Sequence, residues 1–192
     1  PDMTWPSTIK TAKKTNSYWD LSNLVDESDP YNIKRVKVVD AGNSAGRIIF
    51  IDNQNYNNGI QLNQINGPES DLPVTFIFSA LKPVVLTGTI TGNVRMFFAG
   101  DFQFGMGTET VAYNGLTMFM SNGDMKICSS IWSYKNNPGG GFLSSDKDIT
   151  IVESASFQGQ IQCRGNFKTS GLIQFNDSVL KAPGFTVPKG MK

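Results

Sequence analysis

The 192 residues carry 17 Lys and Arg against 16 Asp and Glu, a formal net charge of +1, so no global electrostatic footprint marks a nucleic-acid or membrane-surface protein. Histidine is absent, which removes the commonest general base, the usual zinc ligand and every Ser-His or Cys-His nucleophile pair. The length suits one core, or one core with a small appended unit, and 19 Gly among abundant Asn and Ser point to a turn-rich β protein.

The chain opens at Pro1 with neither an initiator Met nor an apolar leader, as expected of a piece cut from a longer protein. A short helix is expected within "TIKTAKKTNSYWDLSNLV" (8–25), with Lys10, Lys13 and Lys14 on a solvated face. "RVKVVDAGNSAGRIIFID" (35–52) reads as two strands around a Gly-Asn-Ser turn. "DNQNYNNG" (52–59) is oxygen-rich but lacks the carboxylates and terminal Glu of a calcium loop, so a hairpin loop leading to the alternating "IQLNQI" is expected instead. "VTFIFSAL" (74–81) is a short buried strand.

From residue 95 the chain repeats. "RMFFAGDFQF" (95–104), "MFMSNGDMKI" (118–127), "FLSSDKDITI" (142–151) and "QIQCRGNFKT" (160–169) align on an Asx corner at offsets of 23, 24 and 18 residues. Asp101, Asp124, Asp148 and Asn166 share one column, followed by Phe102, Met125, Ile149 and Phe167, and two places further by Phe104, Ile127, Ile151 and Thr169. Met96, Phe119, Leu143 and Ile161 form an apolar column before the corner, on the period of two that one strand face requires. Ile90, Tyr113 and Phe157, each two residues before a Gly, mark a third segment closing each unit.

Three short strands per unit, separated by Gly or Asx corners, predict an all-β fold: a short β-solenoid of about four coils with a non-repetitive β-rich cap or subdomain before it. The expected divisions are 1–82 for the cap, 83–185 for the solenoid and 186–192 for a tail beyond Pro183 and Pro188.

The Asp column admits two uses, a cation ladder or carboxylates accepting backbone N–H groups at their own corners as Asx turns. The second is expected, because Asn166 continues the column and Asn serves a charge-driven metal site poorly. Cys128 and Cys163 follow no metal-ligand spacing, and an axial separation of about 9 to 10 Å between their coils predicts two free thiols. Coil lengths differ through insertions at 105–114 and 128–140, and insertions of this kind collect on one face and serve binding. The candidate contact residues are therefore Trp132, Tyr134, Lys135, Asn136 and Asn137, with Tyr113 on the neighbouring insertion: aromatics among Asn, Ser and Gly suit a glycan platform, a protein anchor or base stacking. Ile131 and Trp132 tucking back over the coil is the structural alternative. No catalytic residue, metal or cofactor is expected, because the carboxylates have a structural use and Arg95 and Arg164 fall in opposed registers.

The coils "FFAGDFQF", "MSNGDMKI", "SSDKDITIVESASFQGQI" and "CRGNFKTSGLIQF" resemble the short β-solenoid domain of some bacterial minor type IV pilins and pilus-assembly proteins, over residues 85 to 180 at most. The resemblance implies an exposed β domain behind a hydrophobic N-terminal helix that anchors in the membrane and then in the pilus core, a helix this sequence lacks. It further implies a non-enzymatic, extracellular, cell-surface module whose partners are other pilin subunits and a host glycan, protein or DNA. Bactofilins, cytoskeletal solenoids that polymerise end to end, share the Gly, Asp and aliphatic coil but differ in the long loops, irregular period and large first part seen here. A phage or cell-surface adhesin is the third class.

Overall fold

The computed structural model describes residues 40–51, 53, 59–78, 80–106, 117–131, 141–153 and 155–175 in full, and the backbone alone of residues 18–19, 25–26, 34–39, 116 and 140. The protein is all-β, and among the described residues there is no helix. The first strands are β1 (Tyr18–Trp19), β2 (Val25–Asp26), β3 (Lys34–Asp40), β4 (Ile48–Ile51), β5 (Ile60–Asn66) and β6 (Val74–Phe78). Then come β7 (Val84–Leu86), β8 (Ile90–Thr91), β9 (Val94–Phe98), β10 (Phe102–Phe104), β11 (Leu116–Ser121) and β12 (Met125–Ile127). The chain closes with β13 (Gly140–Ser145), β14 (Ile149–Ile151), β15 (Ser156–Cys163), β16 (Phe167–Thr169) and β17 (Leu172–Phe175).

These strands fill two sheets. One has eight strands in the order β1-β4-β6-β9-β11-β13-β15-β17; the other has nine, with β2-β3-β5-β7-β10-β12-β14-β16 in line and β8 paired to the far end of β5. Among the described strands every pairing is parallel except β2 with β3. From β9 onward the chain alternates between the sheets, so each strand pairs with its counterpart in the next sequence unit. Short runs with alternating apolar residues, broken at Gly and Asx corners, cannot continue as one strand and so step across to the other sheet.

The registers reproduce the sequence columns. Phe102 pairs with Met125, Met125 with Ile149 and Ile149 with Phe167. Met96 pairs with Phe119, Phe119 with Leu143 and Leu143 with Ile161. The inward rows make one core in which Phe76, Phe78, Phe98, Phe104 and Phe119 are fully buried. Phe98 stacks on Phe102 at 3.9 Å between ring centroids, and Phe119 tilts against Phe102 at 4.7 Å and Phe104 at 5.3 Å. Each such ring contributes roughly 2 to 3 kcal/mol of transfer free energy.

A third short row closes each unit. Ile65 pairs with Ile90, Ile131 bridges to Phe157, and Phe157 pairs with Ile173. Ile131 is fully buried, so the second insertion is narrower than residues 128–140 suggest: Cys128 and Ile131 both donate backbone hydrogen bonds to neighbouring units. Tyr113, expected in this row, lies outside the described residues.

Within residues 8–25, where a short helix is expected, Tyr18–Trp19 is a strand paired with Phe50–Ile51, and the rest of the segment apart from Val25 lies outside the described residues. Two other expectations for the first part change. The segment after Ile51 is not a hairpin loop, because β4 and β5 belong to different sheets and residues 52–59 connect one to the other. Strands β3 to β7 also extend the same two sheets as β9 to β17, although no Gly-Asp corner announces them. The tail at 186–192 lies outside the described residues.

Candidate binding face

The two insertions begin and end in step. Phe104, the last residue of β10, pairs with Ile127, the last of β12; Leu116, the first of β11, pairs with Gly140, the first of β13. Each excursion therefore leaves the nine-stranded sheet and returns to the eight-stranded one a single strand spacing, about 4.8 Å, from the other. Tyr113 belongs to the first excursion, and Trp132, Tyr134, Lys135, Asn136 and Asn137 to the second. All six lie outside the described residues, and what is fixed is that their anchors sit side by side.

The corners on the nine-stranded sheet are built from the Asp column. The backbone N–H of Asp124 donates to Asp101 Oδ1 at 2.9 Å, that of Asp148 to Asp124 Oδ1 at 3.2 Å, and that of Asn166 to Asp148 Oδ1 at 2.8 Å. The carboxylates are hydrogen-bonding corner groups as expected, but each accepts from the next unit's corner rather than from its own, so the column ties units together. This also accounts for the Gly before the Asx: a Cβ on Gly123 would lie 2.3 Å from Asp101 Oδ1, and one on Gly165 equally close to Asp148 Oδ1. Where Lys147 takes that place, the bond from Asp148 N is the longest of the three. The Asn166 N–H, its side-chain amide and the charge of Lys168 hold Asp148 below the usual carboxylate range, against an opposing push from burial.

A second column lies behind the first. Ser121 Oγ donates to Gly100 O at 2.7 Å and accepts from Gly123 N at 2.9 Å; Ser145 Oγ donates to Gly123 O at 2.7 Å and accepts from Lys147 N at 2.9 Å. Cys163 continues it, paired in register with Ser145, its Sγ donating to Gly165 O at 3.6 Å. Cys128 and Cys163 are both free thiols, as expected, and burial pushes both thiols up, away from the reactive thiolate. In the earlier units Asn53, fully buried, performs the corner task by accepting from Ala80 N at 2.8 Å.

An open groove of about 390 Å³ runs beside the Asp column on the outer face of the nine-stranded sheet, lined by Pro83, Asp101, Gln103, Asp124, Lys126 and Asp148. The same carboxylates that tie the corners thus form a stepped, mixed-charge wall. On the other sheet Arg95 donates from Nε to Thr75 Oγ1 at 3.1 Å, and burial lowers its pKa. Arg164 pairs with Asp146 at 3.4 Å at a different corner, so the two arginines do not converge. Among the described residues no group of three His, Cys, Asp or Glu is arranged to hold a metal ion.

Comparison with protein-family models, with curated proteins and with solved structures finds no match. The groove, the Ser column and Asn53 were not singled out by sequence. The Ser column was visible as Ser121 and Ser145 two places before the corner Gly or Lys, but Cys163 and Phe98 at the same place obscured it.

Proposed function

We propose that the chain winds as a short β-solenoid and acts as an extracellular, non-enzymatic binding or assembly module, the exposed β domain of a minor type IV pilin or pilus-tip protein. Support for the winding comes from the parallel ladders, in which each unit adds one strand to each sheet and hands its corner hydrogen bonds to the next. The observation that carries the binding role is the pairing of the excursion anchors, Phe104 with Ile127 and Leu116 with Gly140. It brings the attachment points of Tyr113 and of the Trp132 to Asn137 segment into one patch on a rigid support, the arrangement in which loops serve recognition. The pilus class is supported by the coil pattern from residue 85 to 180.

The test is binding of the chain and of Trp132→Ala to immobilised glycans, to single- and double-stranded DNA, and to host surface proteins. The reading expects one class to be bound and Trp132→Ala to lose it with an unchanged melting temperature. No binding to any class, or unfolding of the variant, contradicts the loop assignment. For the pilus class, the natural gene upstream of Pro1 is expected to encode a leader and about 20 consecutive apolar residues; a plain soluble start contradicts it.

A further inference from the structure

Two walls flank the groove on the outer face of the nine-stranded sheet. One is the corner column of Asp101, Asp124 and Asp148; the other is the outward row Val85, Gln103, Lys126 and Thr150, in which each residue is the register partner of the next. Each carboxylate engages a single oxygen. Its Oδ1 accepts from the next corner, which fixes the carboxyl group, while Oδ2 accepts no hydrogen bond among the described residues. On the other wall Gln103 Nε2 donates to Gly105 O at 2.8 Å, and Lys126, exposed, has no ion-pair partner among the described residues. A wall of fixed acceptors thus faces a wall holding an ammonium, a hydroxyl and an amide, with Pro83 and Val85 as apolar surface at the β7 end.

This lining selects among ligand classes. Three carboxylates against one ammonium repel phosphates, nucleic acids and acidic sugars. A polycation following the Asp column would meet Lys126 across the groove and leave Gln103 and Thr150 without a task. A peptide strand finds no main chain to join, because β7, β10, β12 and β14 are each paired on both sides. Sugar hydroxyls suit both walls: each is one donor and an acceptor with two lone pairs, able to give its proton to a carboxylate on one side and accept from Lys126 or Thr150 on the other. From β7 to β14 the groove crosses three strand spacings, about 14 Å, which fits several linked sugar units rather than one.

We propose that the groove binds an uncharged, linear oligosaccharide laid across the strands, its hydroxyls donating to Asp101, Asp124 and Asp148 and accepting from Lys126 and Thr150. Pro83 and Val85 meet the C–H face of a sugar ring at one end. The site is separate from the two excursions, and the proposal does not depend on what they bind. A groove open to water gives weak binding, with a Kd on the order of millimolar.

The experiment follows amide NMR shifts of the full chain titrated with cellotetraose, maltotetraose, mannotetraose and N-acetylchitotetraose, with tetralysine and a sulfated tetrasaccharide as charged comparisons. At least one neutral tetrasaccharide is expected to shift the amides of Gln103, Lys126 and Thr150 to saturation, and neither charged probe to do so. Asp124→Asn keeps an Oδ1 acceptor for Asp148 N and turns the free oxygen into a donor. It should weaken binding about tenfold with an unchanged melting temperature. Lys126→Met, at an exposed position outside the corner bonds, should weaken it by about the same factor. If Asp124→Asn lowers the melting temperature, Lys126→Met decides, and an unchanged affinity there overturns the proposal. No shift with any neutral tetrasaccharide overturns it too. Shifts confined to residues 105–117 and 128–140 assign the sugar to the excursions, against the groove. Tighter binding of tetralysine, strengthened further by Lys126→Met, makes the groove a polycation site and likewise overturns the proposal.

Discussion

Ser145→Ala removes one hydroxyl from a site where two units meet. Ser145 is 3% exposed, and its Oγ donates to Gly123 O at 2.7 Å while accepting from Lys147 N at 2.9 Å. The substitution leaves Gly123, which is buried, with a carbonyl short of a donor, at a cost of about 1 to 3 kcal/mol. The Lys147 amide is on an exposed residue, so water replaces part of the loss and adds about 0.5 to 1 kcal/mol. The expected total is about 1.5 to 4 kcal/mol, read as a fall in the urea midpoint with an unchanged slope. Ser145→Cys, which gives this unit the group found at Cys163, should lose about half as much. Gly123 also donates its N–H to Ser121 Oγ at 2.9 Å, so Ser121→Ala and Ser145→Ala act on the two sides of one residue, its N–H and its C=O. Their double variant should depart from additivity by about 0.5 kcal/mol or more. A loss below about 0.5 kcal/mol for Ser145→Ala, or strict additivity, would refute the idea that the column links successive units.

Three further perturbations probe the same framework. Asp148 has a folded pKa depressed below its ordinary 3.8, so its contribution is complete above that value and is lost as pH falls through the lower folded value. Acid titration of the melting temperature should therefore be less steep for Asp148→Asn, which keeps an oxygen acceptor, and an identical slope would contradict the assignment. Gly123→Ala places a Cβ 2.3 Å from Asp101 Oδ1 and 2.7 Å from Asp101 N, and should cost about 1 to 3 kcal/mol in chemical denaturation. Phe119→Ala empties a fully buried site between Phe98, Phe102 and Phe104 and should cost about 3 to 5 kcal/mol; a cost near 1 would mean that these rings do not form a packed row.

The repeat from residue 95 was legible because strand period and unit length both leave side-chain columns, and Phe102, Met125, Ile149 and Phe167 kept theirs despite insertions. The same sheets were harder to see before residue 80, because the corner between β6 and β7 has no Gly-Asp. There the task passes to Asn53, 27 residues away, whose side chain bonds Ala80, and no local pattern reveals such a partner. The excursions were legible as insertions, and Ile131 tucks back into the core as the structural alternative for that loop expects, while Trp132 lies outside the described residues. Period two is also silent on the outer side of the eight-stranded sheet, where Phe50 and Ile77 form a separate apolar cluster with Ile48 and Phe97, and where Met118 and Met120 are buried too.

The winding is tested most directly by a distance along the ladder. Gln61, Val85, Gln103, Lys126, Thr150 and Lys168 are successive register partners on the outer side of one sheet. Spin labels on cysteines introduced at Gln61 and Lys168, with Cys128 and Cys163 replaced by Ser, should therefore be five strand spacings apart, about 24 Å, in one narrow distribution. A broad distribution, or a main distance beyond about 35 Å, would contradict a chain in which every unit adds one strand to the same sheet.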